Sequence, residues 1–128
     1  MLMKILITEA DAREIVDRSV LEGFRDFQQP GESDLVDTLI SLFVEDTTKR
    51  LSTLKPALII GDAAAIKRAA HNVKGAAGNI GAHRLARFCG ELEQKASQTG
   101  EAEVLISQLE QEFKQVIEVL SSMKNTEQ

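Results

Sequence analysis

Apolar side chains recur along most of the chain at spacings of three and four residues, which is the repeat of an α-helix. Period-two alternation, the pattern of a half-buried strand, is nearly absent. The repeat predicts a short first helix within residues 10–27 and a long second helix that starts after an N-cap at Ser33 or Asp34. Pro56 falls near the end of the second helix, so we expect a kink there, or a break and a restart.

Three further helices follow from the same repeat. Gly61-Asp62 has the pattern of a glycine C-cap followed by an aspartate N-cap, and the third helix is predicted from about Ala63 to Asn79. A fourth helix starts near Ala82 and a fifth follows Gly100. The apolar stripes of the first two helices, which we expect to be buried in the core, include Phe24, Phe27, Leu35 and Leu42.

Short connections between long amphipathic helices favour antiparallel neighbours. The sequence therefore predicts an all-α fold, an up-and-down antiparallel four-helix bundle with an additional short N-terminal helix. We expect residues 1–10 to be a lead-in, residues 11–124 to form the bundle, and residues 125–128 to be a frayed tail.

Composition narrows the classes of function. The 128 residues suit one domain, and the formal net charge of −5 offers no basic field for nucleic acid. Five Phe are the only aromatic residues, which argues against platforms that stack bases. Two His and one Cys predict no metal site and no internal disulfide, and we expect Cys89 to be a buried thiol. No apolar run is long enough for a signal peptide or a membrane span, so we expect a cytoplasmic protein.

The third helix carries the candidate chemistry. At about 100° per residue, one set of apolar residues falls within about 40° of a single direction and forms the predicted buried stripe: Ile66, Ala70, Val73, Ala77 and Ile80. His71 points about 140° away from that stripe. Lys67, Lys74, Gly75 and Gly78 share the outer face with it.

Glycine inside a helix costs about 1 kcal/mol relative to alanine, so Gly75 and Gly78 bring no stability. We interpret them as clearance that lets another macromolecule approach His71. The lysines are suited to offset an anion on the imidazole, since a phosphoryl group carries about −1.5 to −2 charge near neutral pH.

The segment from Ala69 to Ala82, AAHNVKGAAGNIGA, resembles the signature of histidine-containing phosphotransfer (HPt) domains: His-x-hydrophobic-Lys-Gly, a run of small residues, then Gly-Ala. The stretch from Leu85 to Glu93, LARFCGELE, resembles the Leu…Cys…Leu-Glu pattern that follows in that family. The resemblance covers roughly residues 17–120.

The resemblance implies that a histidine accepts a phosphoryl group from the aspartyl phosphate of one receiver domain and passes it to the aspartate of another. His71 is then the phosphoacceptor and Lys74 the phosphate-stabilising cation, while Lys67, Gly75 and Gly78 belong to the docking surface. Glu93 stands where a side chain often orients the imidazole, although many members have glutamine there. The chain itself would bind no cofactor, and Mg²⁺ is expected on the receiver.

The expected partners are response-regulator receiver domains, a hybrid sensor histidine kinase, or both, with the chain itself a monomer. An ATP-dependent kinase is disfavoured because no glycine-rich nucleotide loop is visible. Two alternatives stay open: a receiver-binding adaptor without turnover, and the phosphoacceptor domain of a larger chemotaxis-type or hybrid kinase. We expect Arg68 to be a solvated side chain, His83 to be structural or solvated, and Gly81 to end a helix.

Overall fold

The computed structural model describes residues 15–27 and 34–124. Those two ranges contain six α-helices and no strand, which confirms the predicted all-α class. The helices are α1 (Arg18–Arg25), α2 (Leu35–Leu51), α3 (Leu54–Ile60), α4 (Ala63–Ile80), α5 (His83–Gln94) and α6 (Thr99–Met123). The predicted lead-in 1–10, the start of the first helix, Ser33 and the tail 125–128 lie outside the described residues.

Capping aspartates set the starts of α1, α2 and α4. Asp34 precedes α2, and its carboxylate accepts hydrogen bonds from two backbone N–H groups of the first turn. Asp62 caps α4 in the same way through the N–H of Ala65. Gly61 ends α3 with a left-handed φ of 74°, which glycine adopts without steric cost. The predicted junction at Gly61-Asp62 is confirmed.

The helix is interrupted just before Pro56 and then restarts. Of the two outcomes predicted for Pro56, a kink or a break with a restart, the second is confirmed. α2 ends at Leu51, a two-residue turn follows, and α3 begins at Leu54. Pro56 is therefore the third residue of α3, where a helix has no intrahelical use for a backbone N–H. The prediction for Gly100 was wrong, because α6 begins at Thr99 and includes Gly100 in its first turn.

α4 lies at the centre of the fold, in contact with α1, α2, α3 and α5, and α6 completes the core against α2, α3 and α5. The whole predicted stripe of α4 is buried: Ile66, Ala70, Val73, Ala77 and Ile80. Within the described ranges, none of the helices is long and apolar enough to cross a membrane.

A backbone hydrogen bond at Gly81 links the end of α4 to the residue that precedes α1. Its φ of 91° is left-handed, and its carbonyl accepts a hydrogen bond of 2.8 Å from the backbone N–H of Asp17. A Cβ at this position would lie 2.7 Å from the carbonyl oxygen of Asp17, so the close approach requires glycine. Gly81 ends α4 as predicted, whereas Gly78 lies inside the helix.

Two buried groups hold α5 within the bundle. Cys89 is fully buried, as predicted, and burial raises the pKa of its thiol to about 12. Glu112 of α6 is also buried, and both Nε and Nη2 of Arg84 bind its Oε1, at 3.1 Å and 3.0 Å. A charged pair that is hydrogen-bonded in this way fixes α5 against α6.

Candidate functional site

The outer face of α4 presents the side chains that the sequence singled out. The His71 side chain is 64% exposed, and Lys67 and Gly75 are exposed beside it. Lys74 and Gly78 are half-buried at the edge of this face. A Cβ added to Gly75 or Gly78 would meet no atom within 4 Å, so the surface beside the imidazole is open.

Glu93 reaches this face from α5 and contacts two of its residues. Its Oε2 lies 2.9 Å from Nδ1 of His71, and its Oε1 forms an ion pair of 2.9 Å with Nζ of Lys74. The carboxylate is only 18% exposed. One half-buried anion therefore holds both the imidazole and the nearest ammonium.

The register between α4 and α5 brings these groups together. The two helices are antiparallel neighbours across the short turn at Gly81-Ala82, so His71 and Glu93 lie at the same level, about eleven residues from the turn. One turn closer, the stem of Lys74 passes over Gly90, whose added Cβ would lie 3.6 Å from Cδ of the lysine. Gly90 was not among the predicted site residues, although a glycine inside an amphipathic helix was the available signal.

The electrostatics keep Glu93 ionised. The hydrogen bond from Lys74 is the main cause that lowers the pKa of Glu93 below its ordinary value, and His71 adds to the effect while burial opposes it. An ionised carboxylate only accepts hydrogen bonds, so of the two neutral tautomers of the imidazole it favours the one that carries its proton on Nδ1. That tautomer has its lone pair on Nε2, so Nε2 is the nitrogen that is able to act as a nucleophile.

An open depression of about 510 Å³ lies beside the imidazole. It is lined by Ala64, Lys67, Arg68, His71, Asn72 and Glu93. Arg68 is exposed, as predicted, and it also borders the depression next to His71, which the prediction did not include. The missed signal was its position three residues before His71, since residues at that spacing are neighbours on a helix surface.

A second concavity lies between α1, α2 and α4. This groove of about 360 Å³ is mostly apolar, and its lining includes Phe24, Leu42 and Ala76. Leu42 and Phe24 are 56% and 40% exposed, so assigning them to buried stripes was wrong; the same holds for Phe27 and Leu35. Ala76 follows Gly75 directly, so the groove and the His71 face share one helix.

Other charged residues lie apart from the site. His83 is the first residue of α5 and is exposed. It makes a small contribution to lowering the pKa of Asp17, whereas the hydrogen bonds from Ser19 are the main cause.

No group of three or more His, Cys, Asp or Glu that could hold a metal ion comes together in the part of the chain that the structure describes.

Comparison with known proteins places this geometry in a family. The sequence matches the family model of the Hpt domain over residues 38–122, a range that includes His71, Lys74 and Glu93. The chain belongs to the Hpt domain family. The structure of this Hpt domain is similar to the crystal structure of histidine-containing phosphotransfer protein B (HptB) from Pseudomonas aeruginosa PAO1. The TM-score is 0.78 at 34% sequence identity, over 89% of this chain and 97% of that chain. No curated protein matches the sequence.

Proposed function

We propose that His71 accepts a phosphoryl group from the aspartyl phosphate of a receiver domain and passes it to the aspartate of another receiver. Histidine phosphotransfer in a phosphorelay follows for this chain from its membership of the Hpt family. The observation that carries the assignment to His71 is the contact of 2.9 Å between its Nδ1 and Glu93, because it directs the lone pair of the neutral ring to Nε2.

In the proposed step, the lone pair on Nε2 attacks the phosphorus of the aspartyl phosphate. The bond between phosphorus and the aspartate oxygen breaks, and its electron pair stays on the receiver's carboxylate. The onward step is the reverse reaction with a second receiver. Positioning and charge stabilisation supply most of the catalysis in such transfers, and the receiver supplies the Mg²⁺ while this chain binds no cofactor.

In this proposal, Lys74 supplies positive charge near the phosphoryl group. Its ammonium pairs with Oε1 of Glu93, one helical turn from the imidazole. An ammonium has three N–H donors, so it can keep that pair and also bind an oxygen of the phosphoryl group. Lys67 and Arg68 border the depression beside His71 and add positive charge for the same anion.

The proposed docking surface consists of Lys67, Gly75 and Gly78. Support comes from the open space around both glycines, which leaves room for the rim of a receiver's acidic pocket. We further infer that α2 with its restart α3, α4, α5 and α6 form an up-and-down antiparallel four-helix bundle, with α1 as the additional helix, since the connections from α2 to α6 are short. The chain acts in this proposal as a cytoplasmic monomer.

The test is a transfer assay. The purified chain is mixed with a receiver domain phosphorylated on its aspartate, in the presence of Mg²⁺. We expect an acid-labile phosphoryl group to appear on this chain as the receiver loses it, and no labelling from ATP and Mg²⁺ alone. A receiver that binds the chain without any transfer would instead identify an adaptor, and direct labelling from ATP would identify a kinase.

A further inference from the structure

The contact between Glu93 and His71 has a consequence for the phosphorylated ring, and this consequence rests on the proposed function of His71. We infer that Glu93 keeps a proton on Nδ1 both before and after phosphorylation, so that the phosphorylated ring is an imidazolium whose N–P bond breaks readily. In this inference Glu93 is a positioning residue, since it contacts the ring and not the reacting nitrogen.

The charge balance of the cycle leads to this inference. The neutral ring starts with its proton on Nδ1 and its lone pair on Nε2. After the attack, Nε2 bears phosphorus, Nδ1 still bears the proton, and the ring carries one positive charge. When the phosphoryl group leaves for an aspartate, the N–P electron pair returns to Nε2 and the ring is neutral again with the same proton. No proton has to move in either direction.

The carboxylate is what holds that proton in place. Its Oε2 lies 2.9 Å from Nδ1, so a positively charged phosphorylated ring forms a charge-assisted hydrogen bond with it. A glutamine at this position would be neutral, and its amide could equally donate a hydrogen bond to an unprotonated Nδ1. The choice of glutamate over glutamine therefore favours the labile, protonated form of the phosphorylated ring.

Lys74 keeps the proton on the ring rather than on the carboxylate. The ion pair of 2.9 Å between Nζ and Oε1 stabilises the ionised form of Glu93. The other charged groups that border the imidazole in the described ranges, Lys67 and Arg68 of α4, are cations that oppose an imidazolium. Glu93 of α5 is the acidic group that faces the ring there, so its charge decides whether the phosphorylated ring stays protonated.

The experiment compares wild type, Glu93→Gln and the control Glu91→Gln, which removes the same charge from an exposed position on α5. Each protein is phosphorylated with phosphoramidate, which needs no receiver, and the site is mapped by mass spectrometry. The loss of phosphohistidine is then followed by ³¹P NMR between about pH 5 and pH 9. Circular dichroism checks that each variant retains its helices.

We expect the fast hydrolysis of the protonated ring to persist to higher pH in wild type than in Glu93→Gln. The expected difference is about one pH unit, the size that follows when a hydrogen bond to a charged group is replaced by a neutral one. At slightly alkaline pH the phosphohistidine of Glu93→Gln should therefore live several-fold longer, while Glu91→Gln follows the wild type.

The outcomes separate this inference from the proposed function. If His71 is phosphorylated and the pH profiles of wild type and Glu93→Gln coincide, the inference is overturned and the function of His71 stands. If Glu91→Gln shifts the profile as much as Glu93→Gln does, general surface charge is responsible and the inference is again overturned. If phosphoramidate labels the chain elsewhere and not on His71, the proposed function itself is wrong.

Discussion

Oε2 of Glu93 lies 2.9 Å from Nδ1 of His71, although 22 residues separate them in the chain. The contact exists because α4 and α5 run antiparallel on either side of the turn at Gly81-Ala82. The same register brings Lys74 over Gly90 and its ammonium to the other oxygen of Glu93. The site therefore belongs to a pair of helices, and one carboxylate fixes both the tautomer of the imidazole and the position of the cation.

Variants of Gly75 test whether helix stability and partner recognition can be separated. Gly75→Ala and Gly75→Gln should each raise the free energy of unfolding by up to about 1 kcal/mol, because the position is helical and open. Both should slow phosphoryl transfer from a receiver, the glutamine variant more, because the new side chain occupies the approach to His71. Thermal melts and transfer kinetics on the same proteins measure the two effects.

Gly100→Ala is the matched control, since Gly100 is helical and open but lies in α6. Its transfer rate should equal that of the wild type. A Gly75→Gln protein that melts higher and still transfers at the wild-type rate would show that the receiver approaches from another side of the helix.

Gly81 is expected to behave in the opposite way to Gly75. Gly81→Ala should lower the free energy of unfolding by roughly 1–3 kcal/mol or more, because it forces a left-handed φ on alanine and places Cβ 2.7 Å from the Asp17 carbonyl. Gly61→Ala, at a left-handed position with open space, should lose only the backbone part. Urea denaturation of both variants measures the difference, and equal losses would argue against the contact with Asp17.

Lys74→Ala tests the phosphate-stabilising cation. We expect slower transfer or a shorter-lived phosphohistidine, because a nearby ammonium offsets the charge of the phosphoryl group. The free energy of unfolding should change by less than about 1 kcal/mol, as is usual when an ion pair near the surface is removed. Lys114→Ala removes an exposed lysine of α6 and serves as control. If Lys74→Ala matches this control in both rate and half-life, the role assigned to Lys74 is wrong.

The ion pair also predicts how stability depends on acid. The pKa of Glu93 is held below its ordinary value of 4.5 in the folded chain, chiefly by the hydrogen bond from Lys74, so the unfolded chain binds the proton more tightly. The stabilisation is therefore fully present above about pH 4.5 and is lost as the pH falls through the folded value. The melting temperatures of wild type and Glu93→Gln should converge between about pH 5 and pH 3. A constant difference over that range would contradict this origin of the stability.

Much of the fold could be predicted from local chemistry. The capped starts at Asp34 and Asp62, the glycine ends at Gly61 and Gly81, and the buried stripe of α4 each depend on residues within one or two helical turns. The outer face with His71 follows from the same periodicity. The prediction that Leu42 is buried was wrong because an apolar stripe can be wider than the surface that neighbouring helices cover. The uncovered part of the stripe on α2 lines the groove against α1.

The side-chain contacts between α4 and α5 could not be derived from the periodicity of either helix. The resemblance to the family assigned Glu93 to the imidazole, but its ion pair with Lys74 depends on the register of α4 against α5 and on the gap left by Gly90. Arg68 was judged by its angle from the core and not by its distance from His71. Contacts across an interface need the packing of both helices, which the pattern within a single helix does not contain.

The central claim, that His71 is the phosphoacceptor, is tested most directly by one transfer assay. Wild type, His71→Gln and His83→Gln are each mixed with a phosphorylated receiver and Mg²⁺, and the phosphorylated residue is mapped. All three proteins should be equally helical, since both histidines are exposed. Wild type and His83→Gln should accept the phosphoryl group on His71, and His71→Gln should accept none. Labelling of His71→Gln at the wild-type rate, or a phosphoryl group found on His83, would contradict the account.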